Sequence, residues 1–119
     1  MKNILVIEDD TKMREGLVEI LTDEGYRVES AENGQLGLDR IKKKDFDVVL
    51  TDLIMPVMGG MEVLSEIKLM KPRTCVIIIT ADGTIENTVE AMKVGASDYI
   101  TKPFNIDEVQ TKIRKVLAN

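Results

Sequence analysis

The sequence lacks the features that mark several large classes of protein. It has one cysteine, no tryptophan and only 3% aromatic residues over 119 positions. A single cysteine cannot form a disulfide within the chain, and the apolar run after Cys75 favours a small buried hydrophobe. The N-terminal apolar run, residues 4–7, is too short for a membrane span of about 20 residues or for a signal-peptide core. We therefore expect a cytoplasmic chain that does not enter a membrane.

A strong positive charge is also missing. The formal net charge is -5, and acidic and basic residues alternate rather than form blocks. Without a Lys/Arg stripe to neutralise phosphates, direct binding of nucleic acid by this chain is not expected. A chain of this length can bury a core without disulfides or a structural metal, and residues 1–119 are predicted to form a single domain.

Short apolar segments and amphipathic segments alternate along the whole chain. Strands are predicted at about Asn3–Glu8, Arg27–Ala31, Phe46–Thr51, Cys75–Ile79 and Asp98–Thr101. The alternating polarity of the second strand favours an edge position. Apolar residues at helical spacing predict five helices, marked by Met13, Leu17, Ile20 and Leu21; Leu36, Leu38 and Ile41; Val63, Leu64, Ile67 and Met70; Ile85, Val89 and Met92; and Ile106, Val109, Ile113, Val116 and Leu117.

Helix ends carry recognisable signals. Gly25 and Gly95 stand where a left-handed C-terminal cap is wanted. Asn105 with Glu108 has the form of a capping box, and Asp10 or Thr11 is expected to cap the first helix.

Alternating βα units predict an α/β fold with right-handed crossovers, and the chain is too short for an eight-stranded barrel. An open parallel sheet covered on both faces follows. Periodicity does not fix the strand order. In the order 2-1-3-4-5, however, the ends of strands one and three would be neighbours at the topological switch point.

Residues suited to phosphoryl chemistry follow four of the predicted strands. Glu8 and Asp9 follow the first, Asp52 the third, Thr80 the fourth and Lys102 the fifth. Because a parallel sheet collects the carboxyl ends of its strands at one edge, these residues are expected to share a pocket.

The three acids predict a metal site. Carboxylates brought together repel, and Mg²⁺ is the natural cation to offset that repulsion, because it accepts one or two carboxylates with waters and phosphate oxygens. A carboxylate can also attack phosphorus, which makes Asp52 a candidate nucleophile. Lys102 would supply a positive charge for a phosphoryl oxygen, and Thr80 a hydroxyl donor.

Together these segments resemble the receiver domains of two-component response regulators over the whole chain. The matching motifs are Ile7-Glu8-Asp9-Asp10, Thr51-Asp52-Leu53-Ile54-Met55-Pro56 with Gly59-Gly60, Thr80-Ala81 and Lys102-Pro103-Phe104. The resemblance implies the flavodoxin-like receiver fold: a five-stranded parallel sheet of order 2-1-3-4-5, doubly wound with five helices. It also implies a signalling switch that catalyses only its own phosphorylation and dephosphorylation.

The resemblance implies roles for single residues. Asp52 would accept a phosphoryl group from a phosphohistidine of a sensor histidine kinase. Mg²⁺ would be surrounded by Glu8, Asp9, Asp52 and the backbone carbonyl of Ile54, with Asp9 and Asp52 as direct carboxylate ligands. Glu8 stands where many members have Asp, so it is expected to reach the metal through water.

The remaining implied roles concern the response to phosphorylation. Thr80 would hydrogen-bond the phosphoryl group and Lys102 would pair with it, and the Lys102-Pro103 peptide would be cis. Tyr99 matches the aromatic switch position, and its alternative is a half-buried strand tyrosine. Ile54 and Asp82 fall where the family tunes the lifetime of the phosphoryl state, which Ile54 is expected to lengthen because it cannot orient a hydrolytic water.

The output is expected to leave through the face formed by helix four, strand five and helix five, where phosphorylation-dependent homodimerisation is one prediction and a solvated surface its alternative. Residues 83–92 resemble receivers that precede σ54-activating ATPase domains. A transcription-regulating output with a DNA-binding domain is therefore expected downstream, and a stand-alone relay protein is the alternative.

Three other functions fit parts of the pattern. A dehalogenase-type Mg²⁺ phosphatase would need an Asp-x-Asp motif where this chain has Glu8-Asp9-Asp10, and an FMN binder would need a Ser/Thr/Gly-rich loop there. A pseudo-receiver would bind partners without phosphorylation.

The charge cluster also predicts that Asp52→Asn raises stability in metal-free buffer by removing repulsion among unpaired acids.

Overall fold

The computed structural model describes residues 1–81 and 83–118, and the strands and helices alternate along them. The strands are β1 (Asn3–Ile7), β2 (Arg27–Ala31), β3 (Val48–Thr51), β4 (Cys75–Thr80) and β5 (Asp98–Thr101). The helices are α1 (Thr11–Asp23), α2 (Gly34–Lys43), α3 (Gly60–Met70), α4 (Ile85–Val94) and α5 (Ile106–Leu117).

The sheet is parallel and its order is β2-β1-β3-β4-β5, which confirms the predicted order and the edge position of β2. Ile7 lies opposite Thr51 in the register of β1 and β3. The residues that follow, Glu8 and Asp52, therefore leave neighbouring strands at the same level. This is the switch point at which the direction of strand addition reverses.

Each face of the sheet carries its own apolar core. Leu5 and Ile7 of β1 pack with buried side chains of α2 and α3, whereas Ile4 and Val6 pack with α1 and α5. The central strands are covered on both faces, and full burial of each Ile or Leu contributes about 1.5–3 kcal/mol. The predicted doubly wound architecture is confirmed.

Three predicted strand ends differ from the structure, each for a local reason. β1 ends at Ile7, before Glu8, whose carbonyl accepts a hydrogen bond from the Arg14 guanidinium at 2.9 Å. β3 begins at Val48, after Phe46, whose carbonyl accepts from the Thr74 hydroxyl. β4 continues to Thr80, because the amide of Lys102 donates to the Thr80 carbonyl.

The predicted caps are formed. The Asp10 carboxylate accepts from the amide of Met13, so Asp10 caps α1. Gly25 and Gly95 have φ angles of 102° and 127°, which only glycine adopts easily. Asn105 accepts from the amide of Glu108 at 2.8 Å, the first half of the predicted capping box, and the Glu108 carboxylate lies 3.7 Å from Lys112.

Some apolar side chains lie outside the core. The apolar residues that mark α4 face solvent, with Ile85 83%, Val89 46% and Met92 46% exposed, and Leu36 of α2 is 41% exposed. Cys75, expected to be buried, is only partly so. Within the described residues, no helix is both long and apolar enough to span a membrane.

Candidate phosphoryl and metal site

Three carboxylates meet at the carboxyl ends of β1 and β3. Glu8, Asp9 and Asp52 each offer one oxygen, and these oxygens lie within 4.8 Å of one another. Glu8 is 3% and Asp52 7% exposed, whereas Asp9 faces solvent. Oxygen atoms in this arrangement suit a hard divalent cation that approaches from the side of Asp9.

Lys102 joins two of these acids. Its Nζ donates to Glu8 Oε1 at 2.8 Å and to Asp52 Oδ2 at 2.7 Å. Burial of Lys102 disfavours its charge, but the hydrogen bonds to Asp52 and Glu8 outweigh burial and raise the pKa of the ammonium above 10.5. The lysine expected to face a phosphoryl oxygen thus neutralises part of the charge of the acid cluster.

Glu8 occupies an unfavourable place for a charge. Burial raises the pKa of its carboxyl, although the hydrogen bonds from Lys102 and from the amide of Asp10 act in the opposite direction. Arg14 fixes the same residue through its backbone, since its guanidinium donates to the Glu8 carbonyl. Arg14 was not predicted as a site residue. The sequence feature that could have indicated this role is a cation six residues after Glu8, in the first turns of the capped helix.

The loop after β3 holds Asp52 in place. The amide of Ile54 donates to Asp52 Oδ1 at 3.1 Å, and the Thr51 hydroxyl donates to the Asp52 carbonyl at 3.1 Å. Gly60 begins α3 against this strand end, where a Cβ would lie 2.1 Å from the Asp52 carbonyl oxygen. Only glycine allows this approach. The Ile54 side chain is 63% exposed, and the metal contact of its carbonyl stays a prediction.

Thr80 and Tyr99 lie on the neighbouring strands. Thr80 is fully buried at the end of β4, opposite Thr101 in the register, and Tyr99 is half-buried opposite Ile78. The Lys102-Pro103 peptide is cis, as the resemblance implied. The roles of Thr80 and Tyr99 stay predictions, and Asp82 lies outside the described residues.

Comparisons with known proteins agree with this geometry. Residues 4–114 match the family model of the response regulator receiver domain. The chain is 41% identical over 117 residues to the transcriptional regulatory protein ZraR of Klebsiella oxytoca, covering 98% of this chain and 26% of that protein. It therefore spans about a quarter of the length of this relative.

Two solved structures show the same fold. A CheY-like receiver domain protein of Methanospirillum hungatei has a TM-score of 0.96 at 35% identity, covering 99% of this chain and 94% of the other. The response regulator protein TrrA of Thermotoga maritima, solved in complex with Mg²⁺-BeF, has a TM-score of 0.88 at 36% identity, covering 98% and 99%. With its sheet order, its acid cluster and these matches, the chain belongs to the response regulator receiver domains of two-component systems.

Proposed function

We propose that residues 1–119 form one receiver domain in which Asp52 accepts a phosphoryl group from a phosphohistidine of a sensor histidine kinase. The observation that carries this proposal is the meeting of Asp52 with Glu8, Asp9 and Lys102 at a single point of the sheet edge. Family membership removes the dehalogenase-type phosphatase and the FMN binder as alternatives. A pseudo-receiver is distinguished by the experiment below.

Mg²⁺ is the metal we propose for the site, with Asp9 and Asp52 as direct ligands, Glu8 through water and the Ile54 carbonyl completing the protein ligands. When bound, it would reduce the repulsion between the Asp52 carboxylate and the incoming phosphoryl oxygens. The all-oxygen donor set fits this ion. The Mg²⁺-BeF complex of TrrA supports the choice.

In the transfer, a carboxylate oxygen of Asp52 forms a bond to phosphorus while the bond from phosphorus to the histidine nitrogen of the donor breaks. Lys102 donates to both carboxylates, and its ammonium has a third N–H donor for a phosphoryl oxygen. The Ile54 amide already donates to Asp52 Oδ1 and keeps the carboxylate oriented. The exposed Ile54 side chain offers no polar group to a hydrolytic water, so we expect a long-lived phosphoryl state.

The phosphoryl group would act by shifting a population. Thr80 would move inward to bond it, Tyr99 would follow, and the face of α4, β5 and α5 would change. A shift from 1:99 to 99:1 needs about 5.5 kcal/mol, within reach of a few charge-assisted hydrogen bonds of about 1.5–3 kcal/mol each. The exposed Ile85, Val89 and Met92 give α4 an apolar surface for output.

The output itself we propose to be transcriptional. The relative ZraR is a transcriptional regulatory protein about four times the length of the matched segment, and residues 83–92 resemble receivers that precede σ54-activating ATPase domains. The partner would then be such an ATPase with a DNA-binding domain, and homodimerisation through the output face would accompany phosphorylation. A stand-alone relay protein would lack these partners.

Intact mass measurement tests the chemistry. The chain is mixed with Mg²⁺ and acetyl phosphate, beside Asp52→Asn, a chelator control and Asp39→Asn as a matched variant on α2. We expect one added phosphoryl group in the wild type and in Asp39→Asn, and none in Asp52→Asn or with chelator. Absence of the added mass from the wild type would contradict the proposal and favour a pseudo-receiver. Addition to Asp52→Asn would assign another acceptor.

A further inference from the structure

At the edge of the sheet, the backbone amide and carbonyl of Tyr99 in β5 point away from β4. β5 pairs with β4 in the described sheet and ends the strand order. In a parallel pair, alternate residues direct their amide and carbonyl toward the neighbour. The Lys102 amide donates to the Thr80 carbonyl. Two residues earlier, the backbone amide and carbonyl of Ile100 therefore also face β4, whereas those of Tyr99 face the open edge. Such an edge is a template for another strand.

Two charged side chains bind the outward-facing amide and carbonyl of Tyr99. The Tyr99 amide donates to Asp98 Oδ1 at 2.8 Å, and Lys112 Nζ of α5 donates to the Tyr99 carbonyl at 2.6 Å. Lys112 Nζ also lies 3.2 Å from the same Asp98 oxygen. The outward amide and carbonyl of one residue are thus bound by the two members of one ion pair.

The ion pair of Asp98 and Lys112 is less exposed to water than an ordinary surface salt bridge. The side chains of Asp98 and Lys112 are 25% and 27% exposed, so water screens them incompletely. Glu108, one turn before Lys112 on α5, lies 3.7 Å from its ammonium and restrains it further. Lys112 is consequently held on three sides by groups from both β5 and α5.

We propose that Asp98 and Lys112 form an electrostatic latch that closes the open edge of β5 at Tyr99 and holds α5 against that edge. While the latch is closed, an additional strand finds neither backbone group of Tyr99 free to pair at this edge. Opening it releases α5 from the strand and exposes both groups together. The latch needs neither phosphorylation nor a metal, so its test is independent of the chemistry at Asp52.

Amide hydrogen exchange of the full chain measures the latch directly. Lys112→Met keeps the length and apolar stem of the side chain and removes its charge, and Lys115→Met is the matched change at an exposed lysine of the same helix. We expect the Tyr99 amide to exchange about tenfold faster in Lys112→Met, because Asp98 loses the cation that holds its carboxylate against that amide. The amide of Leu5 in the interior strand β1 serves as the folding control in both variants.

An unchanged Tyr99 exchange rate in Lys112→Met, with Leu5 protection intact, would overturn the latch. Equal acceleration in Lys115→Met would overturn it as well, since the effect would then be general to α5. Sedimentation velocity tests the closed edge: the double variant Asp98→Ala with Lys112→Met is expected to associate with rising concentration where Lys115→Met does not. Identical sedimentation of the two would show that the pair does not protect the edge.

Discussion

At the scale of single residues, Val57 has an unfavourable backbone conformation beside the proposed phosphorylation site. It lies in the loop after Asp52 with a φ of 74°, and its side chain is 82% exposed. A β-branched residue in the left-handed region is strained, and little burial offsets that strain here. The amide of Met58 donates to the Pro56 carbonyl at 2.8 Å, and this turn, rather than the preference of Val57, fixes the conformation.

We expect Val57→Gly to raise the free energy of unfolding by about 0.5–1 kcal/mol, because relief of strain exceeds the entropy cost of glycine. Urea denaturation measures the change. Val57→Ala retains a Cβ and is the control, with a smaller gain expected. A destabilised Val57→Gly would mean that the Val57 side chain makes a contact worth more than the strain.

Gly60 requires glycine because of the space around it, whereas the strain at Val57 comes from its backbone conformation. A Cβ at Gly60 would meet the Asp52 carbonyl oxygen at 2.1 Å and Leu53 Cα at 2.5 Å, both of them backbone atoms that cannot rotate away. We expect Gly60→Ala to lower the free energy of unfolding by about 2–4 kcal/mol and to slow phosphoryl acceptance by shifting Asp52.

Gly16 supplies the matched control for that variant. It lies inside α1 with nothing within 4 Å of a Cβ, so Gly16→Ala should raise stability by about 0.5–1 kcal/mol through helix propensity. Unfolding by urea is measured for both variants. Equal effects of the two substitutions would contradict the close approach of α3 to β3.

At the scale of elements, periodicity predicted the buried side of α1, α3 and α5 correctly, but it was wrong at Leu36 of α2 and along α4. On α2 the predicted marker Leu36 faces solvent, while Gly37 turns toward the sheet, where a Cβ would lie 2.4 Å from Ile7. On α4 the apolar spacing is helical, yet its residues face solvent and Ala91 is buried. Small residues that allow close packing contribute little to a hydrophobic pattern. The pattern therefore predicts burial of the larger residues instead.

The contact between β2 and α2 contains an ion pair that makes stability depend on pH. Glu29 accepts hydrogen bonds from Lys44 at 2.6 Å and from Arg40 at 2.8 Å. The Lys44 hydrogen bond is the main cause that lowers the pKa of Glu29 below its ordinary 4.5. Because the folded state favours the charged carboxylate, the pair stabilises the protein above pH 4.5 and is lost as pH falls through the lowered pKa.

We therefore expect Glu29→Gln to lower the free energy of unfolding at neutral pH by less than about 1 kcal/mol, as for other exposed pairs. The difference should vanish below the lowered pKa and shrink in high salt. Urea titrations across this pH range measure it, with Glu19→Gln on the exposed face of α1 as the control. A difference that persists in strong acid would assign the effect to packing.

At the scale of the whole molecule, the convergence of the site followed from topology. Once the order β2-β1-β3-β4-β5 holds, residues that follow strand ends must meet, so Glu8, Asp9, Asp52 and Lys102 could be placed from sequence. Contacts that depend on how far a side chain extends could not be predicted in this way. The bridge of Lys102 across two acids and the bond of Arg14 to the Glu8 carbonyl are seen only in the folded structure.

That bridge changes the physical basis of one sequence prediction. Asp52 was treated as an unpaired acid, whereas it shares Lys102 with Glu8 and accepts from the Ile54 amide. Three carboxylates still face one ammonium, an excess of two negative charges, and burial raises the pKa of Glu8. Repulsion therefore remains after Lys102 has been counted.

We expect Asp52→Asn to raise the unfolding midpoint in metal-free buffer, since Lys102 keeps Glu8 as its partner while one repelling charge is removed. Mg²⁺ should then reverse part of this gain. At a concentration ten times its dissociation constant, it stabilises the wild type by about 1.4 kcal/mol, and the variant, short of one carboxylate ligand, by less. Thermal unfolding with chelator and with Mg²⁺ measures both effects beside Asp39→Asn. A variant less stable than the wild type in chelator would mean that the Lys102 contact exceeds the repulsion, and equal stabilisation by Mg²⁺ would exclude Asp52 as its ligand.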